Sequence, residues 1–393
     1  MERLVLIVLA GLMLISCKKE PGTTPPIKAD RTVLVYMAVS NLTSQAELNL
    51  ADMAAGMEGL SGNLIVYVNR YPGNAVLYRV NDDQTMVEVA QYGKEDPASA
   101  EVLQRVWNTT VQQFPADSYG LVIWGHATGW VPADLNITNQ RSKPIGEELS
   151  QPLQCMEQQI WTQMPNALPT KAYGGKMEIS DMVAALPQDR KLDFLLFDAC
   201  FMSSIEALYD LRNTAQYIIA SPTEVMGDGF PYTDVTPLFF QETLNLQGIC
   251  QAFVDSYRYS SSVQSASVAL INTSELEPLA TAVRNLHEAF PDPTIDLDDV
   301  QPFESLTRHV FYDMEDYFKQ FAEGSSQFEA FQSQLAKTVV YSDCTDWIYS
   351  AYGAMFQCVN YCGISTYVSQ DVFPIYGAAY AETAWAKAIG MLN

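Results

Sequence analysis

The sequence is poor in basic residues. Lysine and arginine number 22 in 393 residues, against 46 aspartates and glutamates, so the formal net charge is −24 at pH 7. Binding to nucleic acid or to an anionic membrane surface depends on clustered basic side chains. The composition therefore argues against both as main partners, whereas it would attract a cationic ligand.

Cysteine is also scarce. Seven cysteines are too few for a disulfide scaffold in a chain of this length, and 48% hydrophobic residues are enough for a sizeable core. Cys358 and Cys362 lie four apart with Cys344 upstream, but no histidines accompany them, so a zinc site is not predicted. Cys358 and Cys362 could find disulfide partners in an oxidising compartment, although we favour buried free thiols.

The apolar run at the N-terminus is too short to span a membrane. Residues 4–16 are 13 uncharged residues, which suits a signal-peptide core, whereas a spanning helix needs about 20. Leu14-Ile15-Ser16-Cys17 resembles the lipobox of bacterial lipoproteins. That resemblance implies a signal peptide at 1–16, lipid attachment at Cys17 and a tether at 17–30, and hence an extracytoplasmic chain anchored to the cell envelope. The alternative is a secreted soluble protein.

Buried strands alternate with helices through the middle of the chain. Apolar runs predict strands at 32–39, 63–69, 119–124, 192–197 and 217–221, helices at 44–60, 97–114, 182–186 and 203–211, and a hairpin at 75–80 and 86–89. This alternation predicts an α/β fold with an open, mostly parallel sheet and helices on both faces, spanning 31–272. Residues 131–175 lack periodicity and are predicted as an insertion.

The remainder, 273–393, is predicted to be an α+β extension packed on the same domain. Helices are expected at 275–290 and 316–335, and strands at 268–271 and 363–368.

A histidine and a cysteine follow two of the predicted strands. His126 comes directly after the strand at 119–124, and Cys200 comes after the strand at 192–197. Ligands bind at the carboxyl ends of such strands, and a thiolate beside an imidazole or a helix N-terminus is a nucleophile. His287 lies within a predicted helix and His309 among polar residues, so His126 is the favoured partner. Each residue alone is as well explained by packing; together they indicate catalysis.

The segments that carry these residues resemble the clostripain family of cysteine peptidases, in the clan of caspases, legumains and gingipains. The matching pieces are TVLVYMAVSNL (32–42), YGLVIWGHATGW (119–130), LDFLLFDACFMSSIEALYDL (192–211) and SPTEVMGDGFPY (221–232), with weaker matches at 311–318 and 363–369. The resemblance implies a caspase-like fold and peptide hydrolysis through a thioester on Cys200, with His126 as the second member of a dyad.

The oxyanion site follows from the same resemblance. The backbone amides of Ala127 and Cys200 would stabilise the oxyanion. The family has glycine where this chain has Ala127, which keeps the amide but accepts unusual backbone angles less readily.

The resemblance also implies cleavage after arginine, or after arginine and lysine. A pocket for such a side chain needs a carboxylate, because an unpaired buried cation is costly. Asp198 and Asp228 match family positions, and Glu224 is a third candidate in the same loop as Asp228. Asp198 could instead cap a loop, and Asp228 between two glycines could be a turn residue.

Maturation and cofactors are expectations of the same kind. Some members cut themselves between the histidine and cysteine segments, where Arg141, Lys143 and Lys171 lie in the insertion. Calcium is implied by the resemblance only, since no Asp-rich loop of EF-hand type is present, and no cofactor is required by the sequence. The expected partners are peptides with basic residues, and a monomer is expected. The alternative function is a non-catalytic envelope lipoprotein that uses the same fold as a binding module.

Overall fold

The computed structural model describes residues 28–70, 72–132, 177–259, 263–306, 309–351, 355–370 and 374–391. The predicted signal peptide, Cys17 with most of the tether, and nearly all of the insertion lie outside these residues. In the described ranges no helix combines the length and the apolar character needed to cross a membrane.

One large sheet forms the centre of the described molecule. Its strands are β1 (Ala29–Ala38), β2 (Asn63–Asn69), β3 (Ala75–Val80), β4 (Met86–Gln91), β5 (Ala116–Trp124), β6 (Leu192–Asp198), β7 (Ala215–Ala220), β8 (Ser267–Asn272) and β10 (Val339–Cys344). Their order is β10-β8-β7-β6-β5-β1-β2-β3-β4. The five central strands, from β7 to β2, are parallel, and antiparallel strands flank them on both sides. The predicted open, mostly parallel sheet is confirmed.

The helices lie in two layers. They are α1 (Thr43–Gly56), α2 (Ala100–Gln113), α3 (Ile179–Ala185), α4 (Ile205–Asp210), α5 (Tyr232–Phe239), α6 (Leu246–Arg258), α7 (Leu276–Ala289), α8 (Met314–Ala322), α9 (Ser326–Thr338), α10 (Pro374–Glu382) and α11 (Ala384–Ala388). Contacts join α1, α5 and α6 into one layer, and α2, α3, α4, α7, α8, α9, α10 and α11 into the other. The central strands are therefore buried on both faces, which explains their continuous apolar runs.

The region after residue 272 is joined to the main domain by the sheet itself. β10 pairs antiparallel with β8, so the predicted boundary separates two strands of one sheet. The predicted helix at 316–335 is two helices, because Gly324 has φ +78° between α8 and α9. The predicted strand at 363–368 is reduced to β13 (Ser365–Thr366), which pairs with β9 (Tyr312–Asp313). A second short pair consists of β11 (Trp347–Ile348) and β12 (Phe356–Gln357).

Candidate active site

The carboxyl ends of β5 and β6 bring the predicted histidine and cysteine to one edge of the sheet. Trp124 pairs with Asp198 in parallel register, and the amide of Gly125 donates to the carbonyl of Asp198 at 3.3 Å. His126 and Cys200 each lie two residues beyond that pair. They therefore leave neighbouring strands at the same level, as a nucleophile and its base require.

His126 has a side-chain partner from a third strand end. Its Nε2 lies 2.6 Å from Oδ1 of Asn41, which follows β1, the other neighbour of β5. With the amide oxygen as acceptor, Nε2 carries the proton and Nδ1 is the basic nitrogen of the neutral ring. Sequence reasoning gave Asn41 no role, although it lies in the matched segment 32–42 and follows a buried strand.

Two glycines take the unusual backbone angles around His126. Gly125 has φ +148° and Gly129 has φ +62°. A Cβ atom at Gly125 would lie 2.9 Å from the carbonyl oxygen of Ala38, and one at Gly129 would lie 2.6 Å from that of Phe201. Ala127 is not among the described residues with positive φ. Alanine in place of the family's glycine therefore brings no left-handed strain.

Cys200 is fully buried in the turn after β6. Its Sγ accepts a hydrogen bond from the amide of Val225 at 3.1 Å, and the carbonyl oxygen of Val225 lies 3.6 Å from the sulfur. The helix predicted from 203 begins instead at Ile205 and has only six residues. The Val225 amide is thus within hydrogen-bond distance of the sulfur and can stabilise a thiolate.

The turn after Cys200 is held in an unusual conformation by distant segments. Phe201 has φ +61°, and its ring stacks on that of Phe311 with centroids 4.6 Å apart and planes at 5°. The amide of Phe201 donates to the carbonyl of Thr223 at 3.0 Å. The hydroxyl of Ser203 donates to the carbonyl of Gly363 at 2.6 Å. Both of the weaker sequence matches therefore contact the turn that follows Cys200.

Two of the three predicted pocket carboxylates are buried and bonded within the protein. Asp198 accepts the hydroxyl of Tyr232 at 2.9 Å, and burial together with this carboxylate raises the pKa of Tyr232. Glu224 accepts the hydroxyl of Ser350 and the amide of Ala351, both at 2.9 Å. Glu224 thus connects the loop beside Cys200 to the C-terminal region.

Asp228 is the exposed member of the three. Its carbonyl accepts the side-chain amide of Asn49 at 2.9 Å, and the oxygen of that amide accepts Nε1 of Trp124 at 2.8 Å. The next residue, Gly229, has φ +67°, and its carbonyl accepts the hydroxyl of Tyr257 at 2.9 Å. The backbone of this turn is thus fixed to the end of β5, while the Asp228 side chain points to solvent.

A cavity of about 200 Å³ lies beside the histidine. Its walls include His126 and Ala127, and it is also lined by Asp96 and Glu178, two carboxylates that sequence reasoning did not single out. Within the ranges that the structure describes, no three histidines, cysteines or carboxylates are arranged to hold a metal ion.

Comparisons with known proteins give a matching family and similar folds. The model of the clostripain family matches residues 35–157 and 170–381. The structure is similar to an inactive zymogen C11 protease from Parabacteroides distasonis, at 29% identity and a TM-score of 0.75, over 93% of this chain and 99% of that one. It is also similar to a secreted C11 cysteine protease from Bacteroides thetaiotaomicron in complex with an irreversible peptide inhibitor, at 27% identity and a TM-score of 0.75, over 92% and 99%.

A third solved structure, the secreted C11 cysteine protease "iotapain" from Bacteroides thetaiotaomicron, has a TM-score of 0.77 at 24% identity, over 93% of this chain and 100% of that one, and supports the fold. No curated protein matches the chain.

Proposed function

Because this chain belongs to the clostripain family of cysteine peptidases, we propose that it is an endopeptidase with Cys200 as nucleophile and His126 as general base and acid. The observation that carries the proposal is the register of β5 and β6: Trp124 pairs with Asp198, and His126 and Cys200 each follow that pair by two residues. The dyad and the substrate preference rest on this geometry and on the family.

The reaction follows from the groups at this edge. Nδ1 of His126 takes the thiol proton, Sγ of Cys200 attacks the scissile carbonyl, and the amides of Ala127 and Cys200 stabilise the oxyanion. The protonated histidine then gives its proton to the leaving amine. Water, activated by the same imidazole, hydrolyses the thioester and frees the sulfur.

We assign recognition of a basic side chain to Asp228. Its carboxylate is exposed while its backbone is fixed to the end of β5, so a guanidinium or ammonium group can reach it. Asp198 is buried two residues before Cys200 and accepts the hydroxyl of Tyr232, so it is less available to a substrate than Asp228. Glu224 is the weakest of the three candidates, because its two oxygens are already bonded to Ser350 and Ala351.

We further propose that the chain works outside the cytoplasm, as the signal-peptide pattern at 1–16 indicates and as the secreted relatives support. Lipid attachment at Cys17 is part of this proposal. Mass analysis of the chain from both the membrane and the soluble fractions of the cells tests it directly: an acylated N-terminal cysteine supports the anchor, and a chain found only unmodified in the soluble fraction excludes it.

The test of the activity uses fluorogenic peptides that differ only at the residue before the cleaved bond: arginine, lysine or glutamine. We expect turnover of the basic peptides by the reduced enzyme and none by Cys200→Ala. In Asp228→Asn the loss of a charged hydrogen-bonded pair should lower kcat/KM for the basic peptides by roughly 10- to 100-fold. Asp234→Asn, which changes another exposed carboxylate nearby, is the matched control and should have little effect.

Two results would count against the proposal in different ways. If no peptide is cleaved and a peptide electrophile leaves Cys200 unlabelled, the peptidase proposal is wrong and the alternative of a non-catalytic binding module is favoured. If Asp228→Asn slows basic and neutral peptides equally, the activity stands but the pocket assignment is wrong.

A further inference from the structure

Two cysteines outside the catalytic machinery lie close together. Sγ of Cys344 is 3.3 Å from Sγ of Cys358, and both side chains are partly exposed. Cys344 ends β10 at the edge of the large sheet, and Cys358 follows β12. We propose that Cys344 and Cys358 form a disulfide bond in the exported protein, and that this bond secures the segment that braces the loop around Cys200. The sequence alone favoured free thiols here.

The local backbone already holds the two residues in place for a cross-link. The amide of Cys358 donates to the carbonyl of Asp346 at 2.9 Å, which continues the antiparallel pairing of β11 with β12. A disulfide requires the sulfurs to approach to about 2.05 Å, a shift of roughly 1 Å that side-chain rotation can supply. Cys362, the other cysteine nearby, is buried, and its Sγ lies 3.2 Å from the carbonyl of Ile364. It is the less accessible partner.

Contacts through Glu224 and Val225 connect the segment between the two cysteines to Cys200. Between the two cysteines, the hydroxyl of Ser350 and the amide of Ala351 donate to the carboxylate of Glu224. The residue after Glu224 is Val225, whose amide donates to Sγ of Cys200 at 3.1 Å. A bond that fixes the ends of the segment therefore limits the movement of the buried carboxylate and of the loop next to the sulfur.

The chemistry is a two-electron oxidation by thiol–disulfide exchange. One cysteine, as thiolate, attacks a small-molecule or protein disulfide and releases one carrier thiol. The second cysteine then attacks the mixed disulfide, which releases the other carrier thiol and closes the protein bond. Two protein thiols are oxidised, one carrier disulfide is reduced to two thiols, and each thiolate's proton passes to a released thiol. Oxidising compartments supply such carriers.

The first experiment identifies the bond. The reduced full-length chain is incubated with oxidised glutathione, its remaining thiols are alkylated, and its peptides are analysed by mass spectrometry without reduction. We expect one cross-linked species that contains Cys344 and Cys358 and is lighter by two hydrogen atoms than the reduced pair. If both cysteines are alkylated, carry separate glutathiones or are linked to Cys362, the proposal is wrong.

The second experiment tests what the bond secures. A loop of this size should raise the melting temperature of the oxidised chain by about 4 °C over the reduced chain. Cys344→Ser/Cys358→Ser should show no such redox shift, whereas Cys250→Ala, which changes a buried cysteine elsewhere, should retain it. The single variant Cys358→Ser replaces the double variant if the latter does not fold.

The rate at which a thiol-reactive probe labels Cys200 distinguishes a local bond from one that braces the loop. We expect labelling just below the melting temperature to be several-fold slower in the oxidised chain than in the reduced chain, because Cys200 is buried behind the Val225 loop. Equal labelling rates would contradict the bracing role. The mass analysis, the melting temperatures and the labelling rates do not use peptide cleavage, so these results are independent of the proposed peptidase activity.

Discussion

The ring stack of Phe201 on Phe311 is predicted to set the orientation of Cys200. Phe201 follows the nucleophile directly and has φ +61°, a region that costs a non-glycine residue about 1–2 kcal/mol. Both rings are fully buried and nearly parallel, with centroids 4.6 Å apart. The stack therefore opposes relaxation of the turn to a negative φ, which would move the amide and the sulfur of Cys200.

The variant Phe311→Leu distinguishes the effect of the ring stack on activity from the effect of apolar burial on stability. Leucine keeps most of the apolar contact, so we expect a stability loss of about 1 kcal/mol, against about 3–5 kcal/mol for Phe311→Ala. If the released turn must return to its strained form before each turnover, a cost of 1–2 kcal/mol lowers kcat by roughly 5- to 30-fold. KM should change little, because neither ring belongs to the proposed substrate site.

The assay combines steady-state kinetics with urea unfolding in a double-mutant cycle of Phe201→Leu and Phe311→Leu. We expect a coupling free energy of about 0.5–1.5 kcal/mol. Phe321→Leu, in the aromatic cluster of α8, is the control that should lower stability but not kcat. The reasoning is refuted if Phe311→Leu destabilises the protein while kcat stays at the wild-type value, or if the two substitutions are additive.

Three further contacts give measurable expectations. Asn41→Ala removes the partner of His126 and should lower kcat by roughly tenfold. Asn41→Asp keeps an acceptor and should raise the imidazole pKa, which moves the acid limb of the pH–rate profile to higher pH. Equal pH–rate profiles for the two variants would contradict this. Burial raises the pKa of the Glu206 carboxyl group to about 7 from 4.5, so the folded state holds this proton more tightly than the unfolded state does. The resulting stabilisation is present in full below pH 4.5. It is lost as the pH rises to about 7, by up to about 3 kcal/mol. Glu206→Gln should flatten that decline in urea titrations, and an unchanged slope would show that the carboxyl group does not titrate there. Gly129→Ala should cost more than 1 kcal/mol, because it adds a Cβ 2.6 Å from a carbonyl oxygen at φ +62°, whereas Ala127→Gly should bring no gain in thermal stability.

The sequence was most informative where the chain is buried on both sides. The central strands have continuous apolar runs because helices cover both faces of the sheet, and the rule that ligands meet at strand ends was enough to select His126 and Cys200. The same rule would have selected Asn41, which follows β1 beside β5. The signal was present, but an asparagine after a strand is also a common turn residue.

Other elements were missed for different reasons. α6 has buried residues at 246, 249, 250, 253, 254 and 257, a helical spacing that the sequence does contain. β10 is harder to predict, because it is an edge strand with one neighbour and a mixed, half-exposed pattern. Glu224 could not be interpreted from sequence, since its partners Ser350 and Ala351 are more than 120 residues away along the chain.

These long-range contacts give the C-terminal region a structural role beside Cys200. Phe311 supports the residue after the nucleophile, Gly363 accepts the hydroxyl of Ser203, and Ser350 secures the loop that reaches the sulfur. Parallel strands alone bring a histidine and a cysteine to one edge, but they do not fix the backbone of a strained turn beyond the last ladder bond. That turn is fixed by Phe311 and Gly363 from the region after residue 272 and by Thr223 before it, and β10 attaches the later region to the sheet. Cys200 is thus positioned by contacts from both the N-terminal α/β part and the region after residue 272.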